Sequence, residues 1–183
     1  MKDSLRSPAR QCASTAAASV LEHRIAAALD RDARIDAVAF TGEDVVRALT
    51  GCLGGPGPSA RPHVTLRVIV PDFTRPVAVP GAAGDEAAAR RELLRRVRGH
   101  ARDAAALRRS LARGERARLD EEFRALHLTP FPGFCLIGRE QLFDGSGCLT
   151  CWHAGEGAAV RERIRHRGLL FDALWRVAGP LSG

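Results

Sequence analysis

The feature that most restricts the fold is one stretch, HVTLRVIVPDFTRPVAVP, from His63 to Pro80. Val64 to Val70 is a β-branched, mostly apolar run, the pattern of a buried strand. Pro71 stops that run, and the polar cluster Asp72-Phe73-Thr74-Arg75 follows at its carboxyl end. Ligands of open α/β sheets sit at the carboxyl ends of the strands. The stretch therefore predicts a strand that delivers a charged, proline-clamped loop to a site. It does not name the ligand.

The rest of the chain supplies elements around it. Ser14 or Thr15 would cap a helix running to about Asp30. Val20, Leu21, Ile25, Ala28 and Leu29 fall on one face of that helix, with His23 off it. Ile35 to Phe40 is a short strand. Thr41-Gly42-Glu43-Asp44 turns into a second helix, with Thr41 as cap and the acids at its positive end. Val45, Val46 and Leu49 face inward, and Gly51 to Pro62 is a Gly/Pro loop. Gly81 to Gly84 is a flexible tip. Asp85 opens a long helix to about Arg113, with Leu93, Leu94, Val97, Leu107 and Leu111 as its apolar stripe. Gly99-His100 is where it would kink or divide.

Phe123, Ala125 and Leu126 then lead into a strand at His127-Leu128. Phe134 to Ile137 and Gln141 to Phe143 form a hairpin around Gly138-Arg139-Glu140. Cys148 to Trp152 is a further strand. A last helix runs from about Ala158 to Ala178, with Ile164, Leu169, Leu170, Leu174 and Val177 inward and Phe171 and Trp175 four apart. The order predicts an α/β sandwich, a mixed sheet flanked by helices. It would be one domain over residues 14–183, preceded by a flexible segment, residues 1–13.

Composition narrows the function classes. Hydrophobic residues make up 45% of the 183, which argues against disorder. A net charge of +7 would suit nucleic acid or acidic partners. The arginines are interspersed with Glu and Asp, however, and no tail is purely basic. A solvated Arg-rich surface is the plainer reading, and nucleic acid is a disfavoured partner. No apolar run approaches the ~18 residues of a membrane span, and the N-terminus carries no hydrophobic signal core. The expectation is a cytoplasmic protein whose five cysteines are thiols.

Four stretches taken together look like a known module: IDAVAFTGED, VTLRVIVPDFTRPVAVP, LHLTPFPGFCLIGREQLF and LLFDALW. They resemble the effector domain attached to winged-helix, GntR-like transcription regulators of actinomycetes, which in turn resembles one half of the phospholipase D fold. The resemblance covers about Ser14 to Val177. It implies a phospholipase D-like sandwich, a role in sensing ligands or partners, and a homodimer, because half-size members of that fold commonly pair. The enzymes of the fold carry His-x-Lys-x4-Asp, in which His attacks phosphorus, Lys holds the phosphate charge and Asp orients or anchors. Laid on Leu136-Ile137-Gly138-Arg139, that pattern puts Phe131, Gly133 and Gly138 in the three slots. Phe and Gly neither attack nor neutralise a phosphoryl group. The thirteen residues ahead of the first helix are too few for a DNA-binding domain, which suggests a detached module, a fragment or a stand-alone protein.

Candidate site residues follow from position and type. Arg75 would grip an acidic group and Asp72 would accept hydrogen bonds, unless the two pair with each other or cap a helix. His127, near a strand end at the same edge, is a ligand contact or general base, or a satisfied strand residue. Phe40 and Thr41 would line the same mouth. Arg139 and Glu140 occupy the turn where the enzymes keep their Asp, as binding groups or as exposed turn charges. Cys148-x-x-Cys151-x-His153 supplies too few ligands for zinc, so buried packing thiols are the better reading and no metal or other cofactor is expected. The favoured function is a non-catalytic module that binds a small acidic metabolite or a protein partner. The alternative is a stand-alone enzyme of bacterial secondary metabolism that uses His127 and Asp72.

Overall fold

A computed structural model describes residues 19–29, 32–54, 61–79, 84–115, 117–128, 131–144 and 150–181 of the chain. The segment 1–13, the caps at Ser14 and Thr15, most of the 81–84 tip and Cys148 lie outside the described residues. Helix α1 (19–28) is followed by β1 (Ala33–Val38), α2 (Glu43–Gly54), β2 (His63–Pro71), α3 (Glu86–Gly114) and β3 (Arg118–Leu126). The hairpin β4 (Phe134–Ile137) and β5 (Gln141–Asp144) comes next, then β6 (Thr150–His153), α4 (Ala158–Val177) and the two-residue β7 (Gly179–Pro180).

The strands form one mixed sheet in the order β6-β5-β4-β1-β2-β3-β7. β1, β2 and β3 are parallel, joined through α2 and α3 as two β–α–β units. β4 runs antiparallel on the other side of β1. The alternation of side chains along a strand divides the core in two. Ile35 and Ala37 of β1, with Val64, Leu66, Val68 and Val70 of β2, pack under α1, α2 and α3. Val38, Ile69, Phe134, Leu136 and Leu142 face the other way and pack under Ile164 and Phe171 of α4. The fold is thus α/β, with a mixed sheet flanked by helices.

The local chemistry explains the boundaries. Asp85 caps α3, its carboxylate accepting from the Ala88 N–H at 2.8 Å. Gly42 makes the turn from β1 to α2 with φ +75°, and Thr41 Oγ1 accepts from the Glu43 N–H at 3.4 Å. Five expectations need correction. Val20 of α1 is 44% exposed rather than on the packed face. α2 continues through Gly51 to Gly54, because Leu53 is buried in the core on its last turn, so the Gly/Pro loop starts later than Gly51. α3 is one continuous helix through Gly99-His100, because Val97 and Ala104 are both buried on its inner side and hold it across the glycine. β3 begins at Arg118 and ends at Leu126, before His127, since its register with β2 runs from His63↔Arg118 to Pro71↔Leu126. On α4, Leu169 and Val177 are exposed at 57% and 70% rather than inward. The helix instead turns Phe171 to the sheet, for a reason that the site supplies.

Candidate ligand site

Five of the residues singled out from sequence do gather at one place. Phe40 and Thr41 follow β1, Asp72 and Arg75 follow β2, and His127 follows β3, all at the carboxyl edge of the parallel strands. Their side chains, however, are largely committed to one another. Asp72 Oδ1 accepts from the Thr74 N–H at 3.1 Å and from the Thr74 hydroxyl at 2.5 Å. Arg75 Nε lies 3.3 Å from the other Asp72 oxygen. The loop is therefore closed on itself, the structural alternative for this pair. Phe40 packs against Phe73 at 5.6 Å and edge-on to Phe131 at 6.3 Å, which fills the space between the strand ends. His127 is exposed.

Arg139 is elsewhere. Because β4 is antiparallel to β1, with Ile137 opposite Ile35, the β4–β5 turn sits at the amino edge of the parallel strands. The Gly138 N–H donates to the Arg34 carbonyl there at 2.7 Å.

At that end, on the α4 side of the sheet, lies a charged network that the sequence reading overlooked. Asp36 of β1 is the one buried charged residue among those described, 6% exposed. Arg67, its partner across the β1–β2 ladder, donates to both its oxygens, Nε to Oδ1 at 2.7 Å and Nη2 to Oδ2 at 3.0 Å. Arg34 Nε donates to Oδ2 at 2.8 Å. Asp172 of α4 joins from above, its Oδ1 accepting from Arg34 Nη2 and Arg67 Nη2, both at 3.0 Å. Two guanidinium groups thus face two carboxylates. Burial pushes the Asp36 carboxyl up to about 6, with Arg34 pulling it down and Asp172 pushing it up.

The same arginine explains the orientation of α4. The guanidinium of Arg67 lies 4.6 Å from the Phe171 ring centre and 4.9 Å from that of Trp175, rings that stack 5.6 Å apart. Arg124 covers Trp175 at 4.3 Å and donates to its backbone carbonyl at 2.8 Å. These cation–π contacts and the Asp172 bonds dock α4 onto a polar stripe of the sheet. Phe171 and Trp175 are therefore packing residues within the chain.

Beside this network α4 stands off the sheet and leaves a cavity of about 380 Å³. That lies within the roughly 300–1,000 Å³ of small-molecule sites. Arg161, Ile164, Arg165, Gly168, Leu169 and Asp172 form its helical wall, a single stripe at three- and four-residue spacing. Arg34, Asp36, Leu136, Gly138 and Arg139 form the opposite wall. Some of the lining cations are engaged: Arg165 pairs with Glu162 at 2.6 Å, and Arg161 donates to the Ala154 carbonyl at 3.4 Å. Arg139 is exposed and has no ionic partner among the described residues. The lining holds four arginines and two aspartates, so the cavity carries an excess of positive charge over an apolar interior.

The cysteine cluster has a different role. His153 Nδ1 accepts from the Gly155 N–H at 3.0 Å, and the His153 N–H donates to Glu156 at 2.8 Å, a capping box at the start of a short turn. Cys151 is half-buried, and burial raises its thiol. Among the described residues no group of three or more His, Cys, Asp or Glu is placed to hold a metal ion, and no helix is long and apolar enough to cross a membrane. His63 Nε2 and Asp120 Oδ2, 2.6 Å apart, are partly exposed and do not line the cavity.

No protein-family model, curated protein or solved structure matches the chain.

Proposed function

We propose that the chain is a non-catalytic module that binds a small acidic ligand in the cavity between α4, β1 and the β4–β5 turn. The observation that carries this is Arg139, a guanidinium with no ionic partner among the described residues, on the lip of a cavity already rimmed by Arg34 and Arg161. A planar guanidinium free to make two parallel hydrogen bonds is suited to a carboxylate or phosphate. Supporting it, Phe131, Gly133 and Gly138 stand in the His, Lys and Asp slots of the phospholipase D-like pattern. A mixed sheet flanked by helices is compatible with a phospholipase D-like effector module of transcription regulators, and that kinship is part of the same reading. So is a homodimer, for which the exposed Leu169 and Val177 of α4 offer apolar contact. The enzyme alternative gains no support from Asp72, which Thr74 and Arg75 occupy.

Ligand binding would act on a partner or dimer surface only through different affinity for its two states. Calorimetric titration of the full chain with simple carboxylates and with inorganic phosphate tests the reading. Arg139→Ala should weaken the tightest of these at least tenfold, and Arg75→Ala at the other edge should leave it unchanged. Absent heat with every anion, or equal affinity in Arg139→Ala, would defeat the proposal.

A further inference from the structure

Gly168 lies inside α4, ten residues from its first residue Ala158, where glycine is the poorest helix former after proline. Glycine in a helix is often demanded by a close neighbour, yet a Cβ built at Gly168 meets nothing within 4 Å. Its backbone also needs no left-handed conformation, unlike Gly138 at φ +61°. Neither packing nor turn geometry asks for glycine here. What a side chain at this position would occupy is the cavity, since Gly168 is part of its wall. The aliphatic part of that lining is Leu136 from the sheet with Ile164 and Leu169 from the helix, while Arg165 and Asp172 stand three and four residues from Gly168 on the same stripe.

From this we infer that Gly168 sets the depth of the cavity, and that the ligand is an amphipathic acid. Its anionic head pairs with Arg139, and its apolar body lies over Gly168 against Leu136 and Ile164. The inference rests on the acidic-ligand reading above and adds the nature of the body and the residue that selects for it. An ordinary core would close such a gap with a leucine. A sequence that keeps glycine at a position with room for a side chain gives up helix stability and retains volume, the exchange expected where a site needs space.

The probes are octanoate and acetate, titrated into the full chain and followed by amide chemical shifts. Each methylene taken into an apolar cavity strengthens binding about fourfold. Octanoate should therefore bind the native chain at least tenfold more tightly than acetate. Gly168→Leu, whose Cβ has open space around it, should abolish most of that preference while acetate affinity stays within twofold. Gly168→Ala should fall between. Thermal melting of each variant verifies that it is folded, and Gly168→Ala should melt above the native chain. Equal octanoate affinity in the native chain and Gly168→Leu would overturn the role of Gly168. If Arg139→Ala still weakened acetate in that case, the acidic-ligand reading would survive alone. Failure of both carboxylates to bind the native chain would overturn the amphipathic ligand, and failure of inorganic phosphate as well would remove the acidic-ligand reading with it.

Discussion

Replacing Arg67 by methionine tests the network on which α4 docks. Arg67 is 17% exposed, and Asp36 beneath it is 8% exposed at the side chain. The substitution removes two hydrogen bonds to Asp36, one to Asp172, and the contacts with the Phe171 and Trp175 rings. Removing one member of a buried ion pair costs about 3–5 kcal/mol. Two features place this case at the lower end. Asp36 keeps Arg34 Nε at 2.8 Å, and its carboxyl, held up at about 6 by burial, can take a proton. The expected cost is therefore about 3 kcal/mol at pH 8, which for a domain of this size lowers Tm by about 6–12 °C.

The pH dependence carries a definite sign. The folded carboxyl of Asp36 titrates above its unfolded value of 3.8, so the folded state binds the extra proton. Stability from this group is full below the unfolded value and is lost as pH rises through about 6. Without Arg67 the ionised form is less well accommodated still. The deficit of Arg67→Met should therefore be larger at pH 8 than at pH 5. Urea unfolding followed by tryptophan fluorescence reads it, since Trp175 stacks in the network. Asp36→Asn should flatten the dependence between these pH values, and a double Asp36→Leu, Arg67→Met protein should recover most of the loss, because apolar replacement of a whole buried pair is often neutral. A cost below about 1 kcal/mol at pH 8, against the several expected on breaking a buried pair, or one that does not change with pH, would refute the reasoning.

Two further outcomes follow from other parts of the molecule. Burial pushes the Cys135 thiol up to about 12, so a thiol reagent at pH 8 should leave Cys135 unlabelled in the folded chain and modify it only in denaturant, as peptide mapping would show. Gly42→Ala should destabilise the chain by about 1–3 kcal/mol, because φ is +75° there and the new Cβ would stand 3.2 Å from Phe123 and Val68; urea unfolding indistinguishable from the native chain would contradict the strain assigned to this turn.

Much of the fold could be read from residue patterns. The apolar run at Val64–Val70, the Asp85 cap and the Phe134–Ile137 hairpin arm all stand where periodicity and turn chemistry put them. β3 was harder because RLDEEFRAL carries five charges in nine residues. Some of those charges belong to strand positions whose partners lie on other elements, such as Asp120 with His63 and Arg124 with Trp175. Pairing across a sheet leaves no periodic trace. The outward turn of Leu169 has a similar cause, since Arg67 on a distant strand decides which face of α4 docks.

The site was less legible. The clustering of Phe40, Asp72 and His127 at one edge follows from parallel strands, but nothing local shows that Asp72 is consumed by Thr74 and Arg75. The signal for the other edge was present and small. Asp36 interrupts ARIDAV and Arg67 interrupts HVTLRVIVP. A lone acid and a lone base inside two apolar strands that pair side by side imply each other, because neither is buried cheaply alone.

The most direct test of the account is a map of backbone amide shifts on adding octanoate to the full chain. Shifts should concentrate at Gly138, Arg139, Gly168 and Leu169, with the carboxyl edge silent. Shifts centred instead on Thr41, Asp72 and His127 would contradict it.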